Sequence, residues 1–461
     1  MSRAFRLHPL GDGLATLTFD EPAKKANVFS RPVLAELDNQ IEQLAGRQDI
    51  GCLVLLSGDR GKSIAGADIV EIGRVTDSAE AEAGVRIGQR LFNSWSALPF
   101  PTVAAVRGTW VGGGMELALA SDYIILSDRE DIRIGLPEVR LGILPAWGGC
   151  TRLPRRVGLA AALDIILAGK TVRPYKAFKI GLADALIPDA AFGHQVREFA
   201  RLLLAGKKPA ARDGDLRGQL LEKNPLGRKL VFDQARKQVM KKTGGLYPAP
   251  LRAIEVVKVG IDKGIEAGLD AEARAAAELA ISPTCKSLVH VFHLMEGSKQ
   301  VSAAPDAPAV RSAAVLGAGV MGGGIAQLLA GKADIPVRLK EIAVEPLASG
   351  MEHAAGLFHK QVKRRWLSRP EAKRKMALLR PTLDYAGFER VDFVIEAVVE
   401  RLDIKQQVFA QLAAEVPENA VLASNTSSLS IDLIGADTPR PERVVGMHFF
   451  NPVPLMKLVE V

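Results

Sequence analysis

The stretch Ala313–Glu341, "AAVLGAGVMGGGIAQLLAGKADIPVRLKE", decides how the second half of the chain folds. It opens with an apolar run of strand length, turns at Gly317, Gly319 and Gly322, and enters a helical run, Met321–Ala330. A second strand, Pro336–Lys340, ends at the acidic Glu341. A GxGxxG pattern alone is a weak signal; strand, turn, helix, strand and acid in this order are what a dinucleotide-binding α/β unit needs. Gly317 allows the tight turn, Gly319 lets the backbone approach a pyrophosphate, and Gly322 lets helix and strand pack closely. The helix start offers free N–H groups and a positive dipole end to phosphates. Glu341 would accept from ribose hydroxyls and repel a 2′-phosphate, which favours NAD over NADP. The plainer alternative is a Gly-rich turn in a parallel sheet with no ligand.

Downstream, "VDFVIEA" (Val391–Ala397) and "AVLASNTSS" (Ala420–Ser428) supply two more strands. Ligands in such sheets sit at the carboxyl ends of strands, and Glu400, Ser427 and His448 all lie just past strand ends. The last stretch, "GMHFFNPVPLMKLVEV", reads as a strand, a Pro-punctuated turn and a return strand, Met456–Val461. That return can bring Glu460 back to His448; a core histidine is the alternative. Upstream, Ser298–Ser312 ("SKQVSAAPDAPAVRS") is small, polar and Pro-containing, as a linker would be. Residues 191–309 read as a helical connecting region with that linker, and residues 1–190 alternate strands with helices. The domain boundaries expected are therefore 1–190, 191–309 and 310–461.

In the first of these, "RGTWVGGGMELALASDYIIL" runs three glycines into a helix with Glu116 in its first turn. A glycine entry to a helix exposes N–H groups and can serve as an oxyanion hole. "SIAGADIVEI" places Ala65, Gly66 and Ala67 before Asp68, an expected helix N-cap. "IGLPEVRLGILPAWGG" sets Glu138 on a Pro-bounded turn. Two glutamates on turns near paired donors suit acid–base work on a carbonyl compound. A surface carboxylate complementing the helix dipole is the other reading of Glu116.

The totals narrow the classes. A length of 461 residues calls for two or three domains, and 48% hydrophobic with 24% charged residues is a globular composition. Aromatic residues at 5% offer little for stacking single-stranded nucleic acid. The net charge of +8 is spread along the chain, so nucleic acid is not the expected partner; a polyphosphate ligand would suit it too. No apolar run reaches membrane-spanning length, and the start reads as no signal peptide. Cys52, Cys150 and Cys285 are far apart, with no CxxC and no metal spacing, which predicts a reduced, cytoplasmic protein without a metal site.

The motifs "IAGADI", "GGGMELALASD" and "GLPEVRLGILP" resemble the crotonase (enoyl-CoA hydratase/isomerase) superfamily. "GAGVMGGGIA", "ASNTSSLSI" and "HFFNPVPLMKLVEV" resemble the NAD-binding domain of L-3-hydroxyacyl-CoA dehydrogenases. Their order in one chain is similar to the α-subunits of bacterial fatty-acid oxidation complexes and related multifunctional enzymes. The resemblance covers essentially the whole sequence. It implies an α/β fold: a crotonase-like spiral domain, the helical region, then a Rossmann-type doubly wound domain.

It also implies roles. Ala67 and Gly113 would donate the oxyanion-hole N–H groups, with Ala65 and Gly66 beside the substrate. Glu116 would activate water and Glu138 would protonate the α-carbon. His448 would be the base on a 3-hydroxyl, oriented by Glu460, with Ser427 touching substrate. Glu400 and Lys405 would contact NAD on the nicotinamide side. Substrates would be coenzyme A thioesters, with trans-2-enoyl hydration, NAD-linked oxidation and a Δ3–Δ2 isomerase side activity. A thiolase subunit is the partner implied. Because the family's second domain continues into a helical domain, Val461 is expected to be a cut edge and the dehydrogenase part incomplete. Hydratase or isomerase activity alone, and a non-catalytic scaffold, are the competing readings.

Overall fold

The computed structural model describes residues 4–58, 61–207, 222, 224–298, 307–364 and 366–461. Residues 299–306 of the expected linker lie outside the described residues. The chain forms two compact units, Met1–Val301 and Ser302–Val461.

In the first unit the chain winds as a spiral. Each turn lays one strand in a larger sheet, one in a smaller sheet, and then a helix. Leu14–Phe19, Asn27–Phe29 and the helix Arg31–Ala45 make one such turn. Cys52–Ser57, Ile64–Ala67 and the helices Ile69–Arg74 and Ser78–Ser96 make the next. Thr102–Val106, Trp110–Val111 and Gly113–Ala120 follow, then Tyr123–Ser127, Ile134–Gly135 and the 3-10 turn Glu138–Leu141. The larger sheet has six strands and the smaller five, and all neighbours are parallel except one pair at an edge of each. Strands covered on both faces read as unbroken apolar runs, and Thr102–Val106 ("TVAAV") is buried at every position. Asp68 caps its helix as expected, accepting from Val70 N–H at 2.9 Å.

The helices Pro225–Thr243, Pro248–Lys263, Ile265–Ala280 and Pro283–Ser298 belong to this same unit. Ala249, Ala253, Val257, Ala275, Ala276 and Leu279 join its hydrophobic core. The stretch read from sequence as a connecting region is thus largely packed wall. Small side chains let Ile265–Ala280 lie close, and one acidic residue, Glu272, is carried into the interior.

The second unit is a six-stranded sheet, parallel throughout. Its order is Leu379–Thr382, Val337–Lys340, Ala313–Leu316, Phe393–Glu396, Val421–Ser424, Val444–Gly446. Numbered within the unit this is 3-2-1-4-5-6, the doubly wound order of dinucleotide-binding sheets. The order reverses between Ala313–Leu316 and Phe393–Glu396, and the Gly-rich turn leaves the sheet at that point. Beyond the sheet, His448–Phe449 pairs antiparallel with Val459–Glu460. The return strand is shorter than the expected Met456–Val461, because Pro452–Met456 is taken up by a turn.

Candidate active sites

Glu116 enters the core of the first unit in the helix Gly113–Ala120, which is buried along its whole length. Its Oε1 accepts from Trp147 N–H at 2.7 Å and Gly149 N–H at 2.8 Å. Burial pushes its carboxyl up to about 7, against the opposing pull of the Gly149 and Trp147 N–H groups and the Arg152 guanidinium. Glu138 begins a 3-10 turn after Pro137, with Oε1 directed at Gly112. Its Oε2 is buried without a hydrogen-bond partner. Burial raises this carboxyl well above the ordinary value, and the charges of Glu116 and Glu272 raise it further. The structure therefore brings together the two glutamates read from separate motifs, and burial raises both carboxyls above their ordinary value.

The donors converge on the same place. Gly66 has φ +95°, and a Cβ there would meet Gly113 N at 2.8 Å, so the end of the strand Ile64–Ala67 and the start of the Glu116 helix touch. The first hydrogen bond of that helix is Glu116 N–H to Gly112 O at 2.9 Å, which leaves Gly113 N–H ahead of the intrahelical ladder. Phe29, Phe92 and Trp147 pack edge to face beside it, with ring centroids 5.5–5.9 Å apart. Their apolar bulk excludes water and sustains the carboxyl shifts.

Sequence reasoning missed Glu272. It is fully buried, accepts from Gly148 N–H at 2.7 Å, and lies 2.6 Å from Thr151 Oγ1. Burial, and then the charge of Glu116, push it up to about 8, with Thr151, Gly148 and Arg152 pulling the other way. The signal was an acid on the apolar face of a helix, in register with Gly268, Leu269, Ala273, Ala276 and Leu279.

In the second unit Gly317 has φ +88°, and a Cβ there would press on Ala397 O at 2.6 Å. Gly319 caps the helix Val320–Leu328, and nothing lies within 4 Å of where its Cβ would be. At Gly322 a Cβ would run into Gly317 O. Glu341, just past its strand, accepts from Ala318 N–H at 3.1 Å and so borders the turn. Open space ahead of a helix N-terminus, with a carboxylate at the next strand end, fits a dinucleotide.

Glu400 accepts from Thr426 Oγ1 at 2.6 Å and Ser427 N–H at 3.0 Å. Burial works to raise its carboxyl, but Thr426, Ser427 and Lys405 leave it below the ordinary value. Lys405, expected at the cofactor, is fully buried. Its ammonium reaches Glu396 at 2.7 and 2.9 Å and Glu400 at 3.3 Å rather than open space. Glu396, a second residue missed from sequence, also accepts from Ser424 Oγ at 2.6 Å and Val398 N–H at 2.7 Å. His448 Nδ1 lies 2.8 Å from Glu460 Oε2, and the two are direct partners across the short antiparallel pair. Phe449 N–H donates to Asn425 Oδ1 at 2.9 Å, which ties this hairpin to the Ser427 turn.

Comparison with known proteins finds one family match in each unit. The enoyl-CoA hydratase/isomerase family matches residues 10–214, and the 3-hydroxyacyl-CoA dehydrogenase NAD binding domain matches residues 312–461. The two matches fall in different units of the chain. The fatty acid oxidation complex subunit alpha of Shewanella amazonensis is 41% identical over all of this chain and 65% of its own length. That of Vibrio parahaemolyticus is 39% identical over the same shares. This chain thus spans about 65% of the length of these curated relatives. Among solved structures, the 3-hydroxybutyryl-CoA dehydrogenase of Escherichia coli K12 is 41% identical over 33% of this chain and 32% of its own, with a TM-score of 0.32.

The three cysteines are free and buried. Among the described residues, no helix is long and apolar enough to cross a membrane, and no group of potential metal ligands is found.

Proposed function

We propose that the chain is a β-oxidation enzyme whose first unit hydrates trans-2-enoyl-CoA and whose second unit serves NAD-linked oxidation of the L-3-hydroxyacyl-CoA product. The observation that carries the hydratase reading is the buried Glu116/Glu138 pair, with the unpartnered Glu138 Oε2 beside it. Ionised Glu116 takes a proton from water as the oxygen attacks C3. The thioester oxygen gains negative charge and is held by the N–H groups of Ala67 and Gly113. Glu138, kept protonated by its surroundings, delivers its proton to C2. Water is thereby added across the double bond, and the two carboxyl groups exchange protonation states until solvent resets them. Δ3–Δ2 isomerisation would need only the Glu138 proton shuttle.

In the second unit, the open turn at Gly319 would take the pyrophosphate of NAD and Glu341 the ribose hydroxyls. When bound, NAD would supply the hydride acceptor. His448 would remove the 3-hydroxyl proton through Nε2, because Nδ1 is engaged by Glu460, and Ser427 would touch substrate. Lys405 would act through Glu400, whose carboxylate it keeps charged. The relatives' names describe subunits of a complex, which supports a partner subunit; that it is a thiolase rests on the family resemblance alone, and residence in the cytoplasm rests on the cysteine usage.

The test is turnover of crotonyl-CoA, with and without NAD, by the parent and by Glu138→Gln. The expected result is loss of enone absorbance in the parent and a fall on the order of 10³-fold in Glu138→Gln. NADH formation dependent on His448 would support the second half of the reading. Equal turnover by parent and variant would sink the hydratase assignment, and turnover by neither would favour a scaffold.

A further inference from the structure

Glu272 touches neither donor of the oxyanion pair, yet it holds the segment that holds Glu116. Its Oε2 accepts from Gly148 N–H at 2.7 Å. Gly148 lies between Trp147 and Gly149, whose N–H groups both point at Glu116 Oε1. One short stretch of backbone is therefore gripped by Glu272 on one side and grips Glu116 on the other. Thr151, a turn further on, meets Glu272 Oε1 at 2.6 Å. A second strut joins the same two elements: Gln89 Nε2 donates to Ala146 O and to Leu269 O, each at 2.8 Å.

We propose that Glu272 is a positioning residue for Glu116, acting as a neutral acid that clamps the Gly148–Thr151 turn. The inference rests on the reading of Glu116 as the base that activates water.

The neutral form follows from what surrounds the group. Glu116, Glu138, Cys150, Arg152 and Arg155 are the titratable side chains facing it. Arg152 spends its hydrogen bonds on Trp147 O and Asn93 Oδ1, and Arg155 on Thr151 O and Gly260 O. Among the described residues, no cation is hydrogen-bonded to Glu272. With Glu116 ionised nearby, a second bare carboxylate would be repelled, and the shift to about 8 has the same sign. A protonated Glu272 can accept from Gly148 N–H with one oxygen and donate to Thr151 Oγ1 with the other.

The test sets an amide against a shorter acid. Glu272→Gln keeps an acceptor for Gly148 and a donor for Thr151. Glu272→Asp keeps the acid but falls one methylene short. A clamp predicts that Glu272→Gln stays within about threefold of the parent kcat, while Glu272→Asp drops about 30-fold with KM nearly constant. The pKa of Glu116, followed by carbon-13 carboxyl NMR, should rise in Glu272→Asp, because the two N–H groups that lower it are released. It should stay in place in Glu272→Gln. Thermal melts establish that both variants are folded. Damage in Glu272→Gln with a parent-like Glu272→Asp would overturn the proposal, since the acid itself would then be what matters. So would an unmoved Glu116 in both. If the parent shows no hydratase turnover, the functional reading fails, while the NMR titration still decides the clamp.

Discussion

Each unit buries glutamates, and it does so in opposite ways. In the first, Glu116, Glu138 and Glu272 share one dry region with no ion pair to any of them among the described residues, and all three titrate above the ordinary carboxylate range. In the second, Glu396 is equally buried but meets the Lys405 ammonium at 2.7 Å, and Glu400, at the edge of the same cluster, titrates below the ordinary value. Desolvation acts on both sets; the countercharge decides the outcome. A carboxyl buried without one becomes a proton store that can trade protons with substrate near neutral pH. A carboxylate buried with one becomes a fixed charge that holds loops. The first arrangement suits acid–base chemistry, and the second suits scaffolding around a cofactor.

Removing the countercharge should break the contrast most severely. Lys405→Met leaves Glu396 in the interior with only Ser424 Oγ and Val398 N–H for company. The second unit should lose about 3–5 kcal/mol in urea unfolding, the usual cost of stranding half of a buried pair. Adding Glu396→Leu should restore much of that loss, because two apolar side chains can replace a buried pair at little cost. A single variant as stable as the parent would mean that the pair is not desolvated in solution.

A smaller effect sharpens the other side. The Glu116 carboxyl titrates at about 7 when folded and near 4.5 ordinarily, so the folded state keeps a proton that the unfolded chain releases in between. Its contribution to stability is fully present below pH 4.5 and is lost as pH rises through about 7, a swing of roughly 3 kcal/mol. Glu116→Gln cannot titrate. Relative to the parent, it should therefore gain stability in the first unit between pH 5 and pH 8. A difference that stays constant across that range would show that Glu116 titrates normally. Glu400 carries the reverse sign: its contribution is present above the ordinary carboxylate pKa and lost as pH falls through the folded value.

What the sequence revealed follows the range of each interaction. The Gly317–Gly322 turn was legible because its strand, helix and acid are neighbours in the chain. Asp68 as an N-cap, and Glu116 at a glycine-led helix start, were legible for the same reason. Glu272 and Glu396 were not. Glu272 meets Gly148 and Thr151 from more than a hundred residues away, and no local pattern encodes that meeting. What the sequence does carry is a charge on an apolar helix face: Glu272 among alanines, and Lys405 in register with Phe409 and Leu412. Such a residue must find a partner or hold a proton, and only the fold shows which. The packing of the helices of 225–298 was not legible for a related reason. Their many charges mark only a helical connecting stretch, while the alanine and valine face that joins the first core is inconspicuous.

The smallest expected effect tests the boundary between the two arrangements. Arg152 lowers the carboxyls of both Glu116 and Glu272 through its charge alone, because its hydrogen bonds go to Trp147 O at 3.0 Å and Asn93 Oδ1 at 2.5 Å. Its own guanidinium is pulled below the ordinary value by burial, so it is a costly cation to keep there. Arg152→Gln removes the charge and leaves an amide able to reach Trp147 O. The Glu116 carboxyl should then titrate higher, and the acid limb of hydratase kcat/KM should move up by about half a pH unit to one unit. Turnover at pH 7 would fall a few-fold and recover at pH 8.5, since a higher pH restores the ionised base. A loss that persists at every pH would instead mean that Arg152 acts by shaping the Trp147 loop. In that case the partial countercharge in the first unit would be incidental, and its carboxyls would be governed by burial alone.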